Sequence, residues 1–230
     1  MSGDWVEPVL ISIGVALYAS YHGYLVIRAK RRPWSTTIGQ NHYARRRWCQ
    51  IVVAERRDLL AVQTIRNSMM AASLLASTSI TLSSVVAAYL VNTIINSEKG
   101  LAGIDLLAST WLVPVHKYLA IISTFTIAFI CYMQSVRSGT HASYLIAIPK
   151  GALRYVTPEY TALVLQRGAD FHTAGTRLFY LSFVLVLWLF GPIPPLILCC
   201  CMVPFLFYLD CPRDCEVHRE EQENNINGFV

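Results

Sequence analysis

Hydroxyl side chains repeat at helical spacing inside the most apolar part of the chain. Ser73, Ser77, Thr81 and Ser84 are separated by four, four and three residues, a spacing that places them on one face of an α-helix. In a membrane, such a face can pack closely against another helix. It can also line a hydrated path, where hydroxyl oxygens replace part of an ion's hydration shell. The spacing is compatible with both interpretations.

A cation and an amide precede this face by one to two helical turns. Arg66 and Asn67 lie where the predicted helix meets the inner membrane surface, so they are candidate residues for the mouth of a pore. A charged side chain at this level can act in selectivity or gating. It can equally extend to the interface and have no such role.

Basic residues cluster between positions 28 and 57, and a shorter set follows between 137 and 177. Such clusters mark cytoplasmic segments of membrane proteins, and each Lys or Arg near an anionic lipid surface contributes about 1 kcal/mol to binding. The alternative is that these charges only set orientation. The topology accounts for the formal net charge of +5, so we expect membrane lipid and not nucleic acid as a partner. The candidate lipid-binding residues are Arg28, Lys30, Arg31, Arg32, Arg45, Arg46 and Arg47.

The sequence shows no pattern typical of an enzyme. We find no nucleophile elbow, no glycine-rich phosphate loop and no paired carboxylates within the apolar segments. Cys211 and Cys215 are close enough for a disulfide, but without partner histidines they are poor evidence for zinc. We therefore expect no catalytic residues, no cofactor and no metal site.

The composition of the chain favours a membrane protein. Of 230 residues, 54% are hydrophobic and 14% charged, and the mean hydropathy is +0.44, which is too apolar for an ordinary soluble domain. Backbone groups in lipid must be hydrogen-bonded internally, and the apolar runs do not alternate as barrel strands do. The sequence therefore predicts an all-α integral membrane protein with a single transmembrane domain over residues 1–209. About four crossings are expected, near residues 9–27, 69–95, 112–133 and 178–209.

The distribution of charge predicts the orientation of these crossings. The basic segments 28–66 and 135–175 are expected in the cytoplasm, with helices lying at the interface. With four crossings, the two ends of the chain lie on the opposite side. Residues 210–230 form an acidic tail that we expect to be disordered. The sequence indicates a plasma-membrane or endomembrane protein without distinguishing between them.

The last predicted crossing is too long for one straight helix through the membrane. Residues 175–209 would measure about 50 Å as an α-helix, against roughly 30 Å of hydrocarbon. Consecutive prolines interrupt helical hydrogen bonding, so the segment is kinked or broken near Gly191, Pro192, Pro194 and Pro195, which are candidate hinge residues. If it is divided, residues 196–209 cross back and place the tail in the cytoplasm.

A helix start is also predicted within the second cytoplasmic segment. Thr157, Pro158 and Glu159 supply a cap, a first-turn proline and an early acidic residue. Gly168 is the expected stop. The pattern predicts a short helix over residues 158–167.

Several blocks of the sequence occur together: AVQTIRN at 61–67, LAST at 75–78, QSVR at 134–137 with His141, and GTRLFY at 175–180 leading to Trp188 and Gly191-Pro192. These blocks resemble the domain-of-unknown-function 599 family. They extend over most of the chain, from about Ser12 to Leu209, and occur in the family's order. The resemblance implies a multi-pass membrane protein of a kind found in plants and bacteria, closest to the plant members, with no established activity. The acidic tail is outside the shared pattern.

Two functional hypotheses follow from the sequence. In the first, copies of the chain form an oligomeric channel-like or transport protein whose second crossing lines the path. In the second, the chain is a non-catalytic membrane scaffold or accessory subunit that binds anionic lipid or partners through its basic cytoplasmic face.

Overall fold

The described part of the chain is entirely helical in its regular structure. A computed structural model describes residues 6–100, 112–149 and 156–212. Within these ranges there are no strands, which confirms the predicted all-α fold. Two short 3₁₀ turns, Pro33–Ser35 and Trp188–Phe190, connect longer helices. The α-helices are α1 (Val6–Arg31), α2 (Thr37–Glu55), α3 (Asp58–Gly100), α4 (Leu112–Ala147), α5 (Pro158–Leu187) and α6 (Ile193–Asp210).

Among the described residues, five helical segments are long and apolar enough to cross a membrane, so the prediction of about four is not confirmed. The difference arises at the carboxyl end, where the single predicted crossing 178–209 is replaced by two separate helical segments. The remaining helix, α2, is expected at the interface. These helices support a multi-pass membrane protein. The five segments are Val9–Arg31, Asp58–Asn92, Val115–Ala147, Pro158–Phe190 and Ile193–Asp210.

The predicted start of α5 is confirmed, but the predicted stop is wrong. The Thr157 hydroxyl accepts a hydrogen bond from the Tyr160 backbone N–H at 3.1 Å, as expected of an N-cap. The helix then continues through Gly168 to Leu187. A Cβ at Gly168 would lie 3.0 Å from the Cβ of Ser138, so this glycine permits close packing of α5 on α4 instead of ending the helix.

The glycine- and proline-rich segment separates two helices. Gly191 has a φ of +125°, a conformation that favours glycine, and α6 begins two residues later. Pro194 and Pro195 lie in the first turn of α6. Backbone N–H groups there form no hydrogen bond within the helix, so proline, which lacks this group, is tolerated. A hinge motion at this segment stays a prediction.

The chain divides into two compact units. The terminal unit combines residues 1–47 with 192–230, and the central unit comprises residues 48–191. In the terminal unit, α1 packs against α6, with Gly14 close to Cys199. In the central unit, α4 packs against both α3 and α5. Its apolar contacts include the edge-to-face rings of Phe125 and Phe179, whose centroids are 5.7 Å apart.

Cys49, in the central unit, provides a direct test of this packing. Its side chain is fully buried, and its thiol donates to the Pro158 carbonyl at 3.5 Å. Burial, reinforced by the nearby Glu159 carboxylate, raises the pKa of this thiol to about 11.

We therefore expect Cys49 to resist alkylation at pH 9. About half of ordinary cysteines with a pKa of 9.0 are thiolate there, whereas only about one in a hundred is at a pKa two units higher. Its reaction with iodoacetamide, followed by mass spectrometry, should accelerate only toward pH 11 or on unfolding. Rapid modification at pH 9 in the folded protein would contradict this packing.

Candidate functional site

One face of α3 is buried in the central unit. Small and apolar side chains on this face permit close contact with α4. The Ser83 hydroxyl lies 3.5 Å from the Ile122 carbonyl and 3.4 Å from the Thr126 hydroxyl. This face is therefore a structural interface between helices. Its buried residues are Ala61, Ile65, Ala72, Ala76, Ser79, Ser83 and Leu90.

The four hydroxyl residues predicted to line a pore lie on another face of the same helix. Ser73, Ser77, Thr81 and Ser84 are all exposed, and we call them the hydroxyl face. The packing of α3 on α4 thus uses different serines from those singled out by sequence spacing. The hydroxyl face remains available for lipid, water or another copy of the chain.

Three of the four hydroxyl groups of this face, those of Ser77, Thr81 and Ser84, donate hydrogen bonds within their own helix. Ser77 donates to the Ser73 carbonyl at 3.0 Å, and Thr81 donates to the Ser77 carbonyl at 2.8 Å. Ser84 repeats the pattern with the Ile80 carbonyl at 2.8 Å. Because these three donors are satisfied, their hydroxyl groups can enter an apolar environment at little cost. The hydroxyl oxygens still have lone pairs that can accept from water or coordinate a cation.

An open groove of about 670 Å³ connects Arg66 with the beginning of the hydroxyl face. Arg66, Ser73 and Ser77 line it together, so the structure brings the predicted pore-mouth cation beside two predicted pore-lining residues. Thr81 and Ser84 continue the same face farther along α3, whereas Asn67 is exposed at the position after Arg66. The other lining residues are Met69, Met70, Ala71, Leu74, Val136 and Thr140.

Arg66 lies near the start of a helix that is longer than a membrane crossing requires. Helix α3 has 43 residues and is therefore about 64 Å long, roughly twice the thickness of the hydrocarbon layer. Arg66 is exposed and lies in the first third of the helix, where a guanidinium can remain hydrated. Beyond Arg66 along α3, the groove walls are largely apolar apart from the hydroxyl groups.

The candidate lipid-binding residues fall into two groups. Arg28 is half-buried; its Nε donates to the Ser35 hydroxyl at 3.1 Å, and it lies over the Phe207 ring at 6.0 Å. Arg45 is also half-buried. These two positions therefore contribute partly to packing. The fully exposed residues of the set are Lys30, Arg31, Arg32, Arg46 and Arg47.

Sequence reasoning missed one acidic residue by assigning it to the tail. Asp210 ends α6, is buried and accepts a hydrogen bond from the Tyr21 hydroxyl at 2.7 Å. The ring of His22 packs edge-on against that of Tyr21, with centroids 5.1 Å apart. The available signal was the aspartate at the end of an apolar run, but its partner is 189 positions away and cannot be identified from spacing.

The described residues contain no group of three or more His, Cys, Asp or Glu side chains arranged to bind a metal ion. Cys215, the second member of the possible disulfide pair, lies outside the described residues, as does the predicted tail from residue 213 onward.

A family model described as "Protein of unknown function, DUF599" matches residues 9–214. The chain belongs to this family. The match covers most of the chain and therefore confirms the resemblance seen in the sequence blocks, while a plant origin stays a prediction. No match was found among curated proteins or among solved structures.

Proposed function

We propose that this DUF599 protein is an oligomeric channel-like protein in which the hydroxyl faces of α3 from several copies line a hydrated path. The observation that supports this proposal is the exposure of the hydroxyl face together with Arg66 on one side of a membrane-length helix. Ser77 follows Arg66 by eleven positions, close to three full helical turns. A path along this face would therefore begin at a cation and continue past hydroxyl groups.

The buried side of α3 supports the same assignment by elimination. Close packing on α4 already occupies Ala72, Ala76 and Ser79, so the hydroxyl face is not needed for helix association within the chain. Association between copies would bring several such faces together. Hydroxyl groups on them could then replace part of an ion's hydration shell, and neither catalytic residues nor a cofactor would be required.

Arg66→Gln should change ion selectivity. A positive charge a few ångströms from a permeating ion shifts its energy by about 1 kcal/mol in a well-hydrated mouth, or roughly fivefold in relative permeability. We expect the anion-to-cation permeability ratio to fall by about that factor. The measurement is ion flux from liposomes containing purified protein, compared with empty liposomes and with chloride and potassium gradients.

Arg137→Gln is the matched control for this experiment. Arg137 is exposed on α4. Its neighbour Val136 lines the groove but Arg137 does not. Loss of the Arg137 charge should therefore leave the anion-to-cation permeability ratio unchanged. Wild-type protein that is folded, inserted and silent toward common cations and anions would contradict the proposed function. Equal shifts for both variants would contradict the assignment of Arg66 to the mouth.

A second candidate function is a membrane scaffold that binds anionic lipid. It is favoured by the exposure of Arg46 and Arg47 on α2. If both contact lipid head groups, replacing them with glutamine should weaken binding by about 2 kcal/mol, or roughly thirtyfold. Binding of nanodisc-embedded protein to phosphatidylserine vesicles measures this effect. Arg57→Gln is a suitable control because Arg57 is paired with Glu55 at 2.7 Å, and an equal loss there would contradict a specific role for α2.

A further inference from the structure

Helices α1 and α6 run in the same direction within the terminal unit. Near the start of the contact, a Cβ at Gly14 would lie 3.6 Å from Cys199 Sγ. Farther along both helices, the Tyr21 hydroxyl donates to the Asp210 carboxylate at 2.7 Å. Position numbers rise along both helices between these two contacts, so the carboxyl ends of α1 and α6 lie at the same end of the pair.

Two further contacts fix the end of α6 beside the segment that follows α1. The Thr37 hydroxyl donates to the Leu209 carbonyl at 2.9 Å, and the Arg28 guanidinium lies 6.0 Å from the centre of the Phe207 ring. The chain therefore leaves α6 next to Lys30, Arg31 and Arg32, which are all exposed. We call these three residues the basic cluster.

The sequence that follows α6 has the opposite charge. Residues 213–230 contain five carboxylates and two arginines. The carboxylates are Asp214, Glu216, Glu220, Glu221 and Glu223. If α1 and α6 both cross the membrane, parallel helices place this acidic segment on the same side as the basic cluster, in contrast to the side expected from four crossings.

We propose that residues 213–230 bind the basic cluster of the same chain and compete there with anionic lipid head groups. The cluster is exposed and cationic, the segment is anionic, and the two are joined through a buried hydrogen bond at Asp210. Because α6 is docked on α1, the segment is tethered beside the cluster, and a tether of this length gives an effective concentration in the millimolar range. Weak charge pairing, which would be negligible between separate molecules, then becomes significant at physiological ionic strength.

The distances allow this interaction. From Tyr21 to Arg31 the chain advances ten helical residues, or about 15 Å. From Asp210 to Glu220 is also ten residues, which can span up to about 33 Å when extended. The acidic residues can therefore reach the whole basic cluster without any change in α1 or α6.

The first part of the test determines on which side the segment lies. Sealed proteoliposomes of known orientation are treated with a membrane-impermeant maleimide, and modification of Cys215 is compared with that of an Ala44→Cys variant. Ala44 is exposed on α2 and reports the side of the basic cluster. Modification of both from the same side is expected, and modification from opposite sides would overturn the proposal.

The second part tests binding itself, independently of ion flux. Spin labels are attached at Cys215 and at Ala44→Cys in a variant whose other cysteines are replaced. This variant must keep the wild-type unfolding temperature. Pulsed electron resonance then measures the distance between the two labels. We expect a short separation at 50 mM salt that lengthens at 1 M salt, or when Lys30, Arg31 and Arg32 are changed to glutamine. The Arg46→Gln, Arg47→Gln variant is the control and should keep the short separation. A distance between the labels that changes neither with salt nor when the basic cluster is replaced by glutamine would overturn the proposal.

The competition with lipid has its own readout. Replacing Glu216, Glu220, Glu221 and Glu223 with glutamine should increase binding to phosphatidylserine vesicles about fivefold. The increase should vanish when the basic cluster is also neutralised. An increase that survives loss of the cluster would show that the acidic segment acts elsewhere and would overturn the proposed competition.

Discussion

Gly39→Ala is expected to prevent stable folding of the terminal unit. A Cβ at this position would lie 2.6 Å from the backbone carbonyl carbon and the Cα of Pro33, and would also collide with its carbonyl oxygen. These atoms belong to the turn that connects α1 to α2, where the Gly39 N–H donates to the Thr36 hydroxyl at 3.3 Å. Since backbone atoms cannot move aside as a flexible side chain can, we expect a loss of about 3 kcal/mol or more in the free energy of unfolding.

Gly23→Ala is the matched control for this substitution. Gly23 is in α1, and among the described residues a Cβ there would meet no atom within 4 Å apart from its chain neighbours and the backbone of its own helical turns. Alanine in a helix interior should stabilise the protein by up to about 1 kcal/mol relative to glycine. Thermal unfolding followed by circular dichroism in detergent, together with the yield of monodisperse protein, compares the two variants. Similar unfolding temperatures for Gly39→Ala and Gly23→Ala would contradict the described turn.

Ser77→Leu is expected to lower ion flux at least tenfold without loss of folded protein. Leucine would fill part of the groove beside Arg66 and replace a hydroxyl at the middle of the hydroxyl face by an apolar group. A hydrophobic constriction in a narrow path excludes water and ions. Helix stability should change little, because the exposed serine donates only to its own helix and leucine has a high helix propensity.

Thr78→Leu separates this effect from a general disturbance of α3. Thr78 is also exposed and donates to the Leu74 carbonyl at 2.9 Å, but it lies about 100° around the helix from Ser77. Its substitution should leave the flux close to that of wild type. Flux from liposomes with equal protein content is the measurement. Equal reductions in both variants would contradict a path confined to the hydroxyl face.

Local patterns in the sequence were sufficient for the all-α fold class and for grouping the hydroxyl residues on one face of a helix. The spacing of Ser73, Ser77, Thr81 and Ser84 defined one helical face, and the structure leaves that face exposed. The start of α5 was also predictable, because an N-cap depends on neighbouring residues such as Thr157 and Tyr160. Features of this kind need no knowledge of the tertiary structure.

Features that depend on distant contacts could not be predicted. Gly168 has the local character of a helix stop, but the close approach of Ser138 explains why it lies within a helix. Charged residues such as Asp170 and Arg177 obscured the apolar length of α5, so the number of membrane-length helices was underestimated. Asp210 resembled part of an acidic tail until its hydrogen bond to Tyr21 was seen.

Access of water to the hydroxyl face distinguishes a hydrated path from contact with lipid or with a dry interface. Single cysteines at Ser73, Ser77 and Thr81 would be treated, in membranes, with a charged methanethiosulfonate reagent that reacts only with hydrated thiolates. Thr78→Cys, on the neighbouring side of the helix, provides the reference rate. If copies of α3 line a hydrated path, the three cysteines of the hydroxyl face should react at least tenfold faster than Thr78→Cys. Equally slow reaction at all four positions would place the hydroxyl face in lipid or in a dry interface and contradict the proposed function.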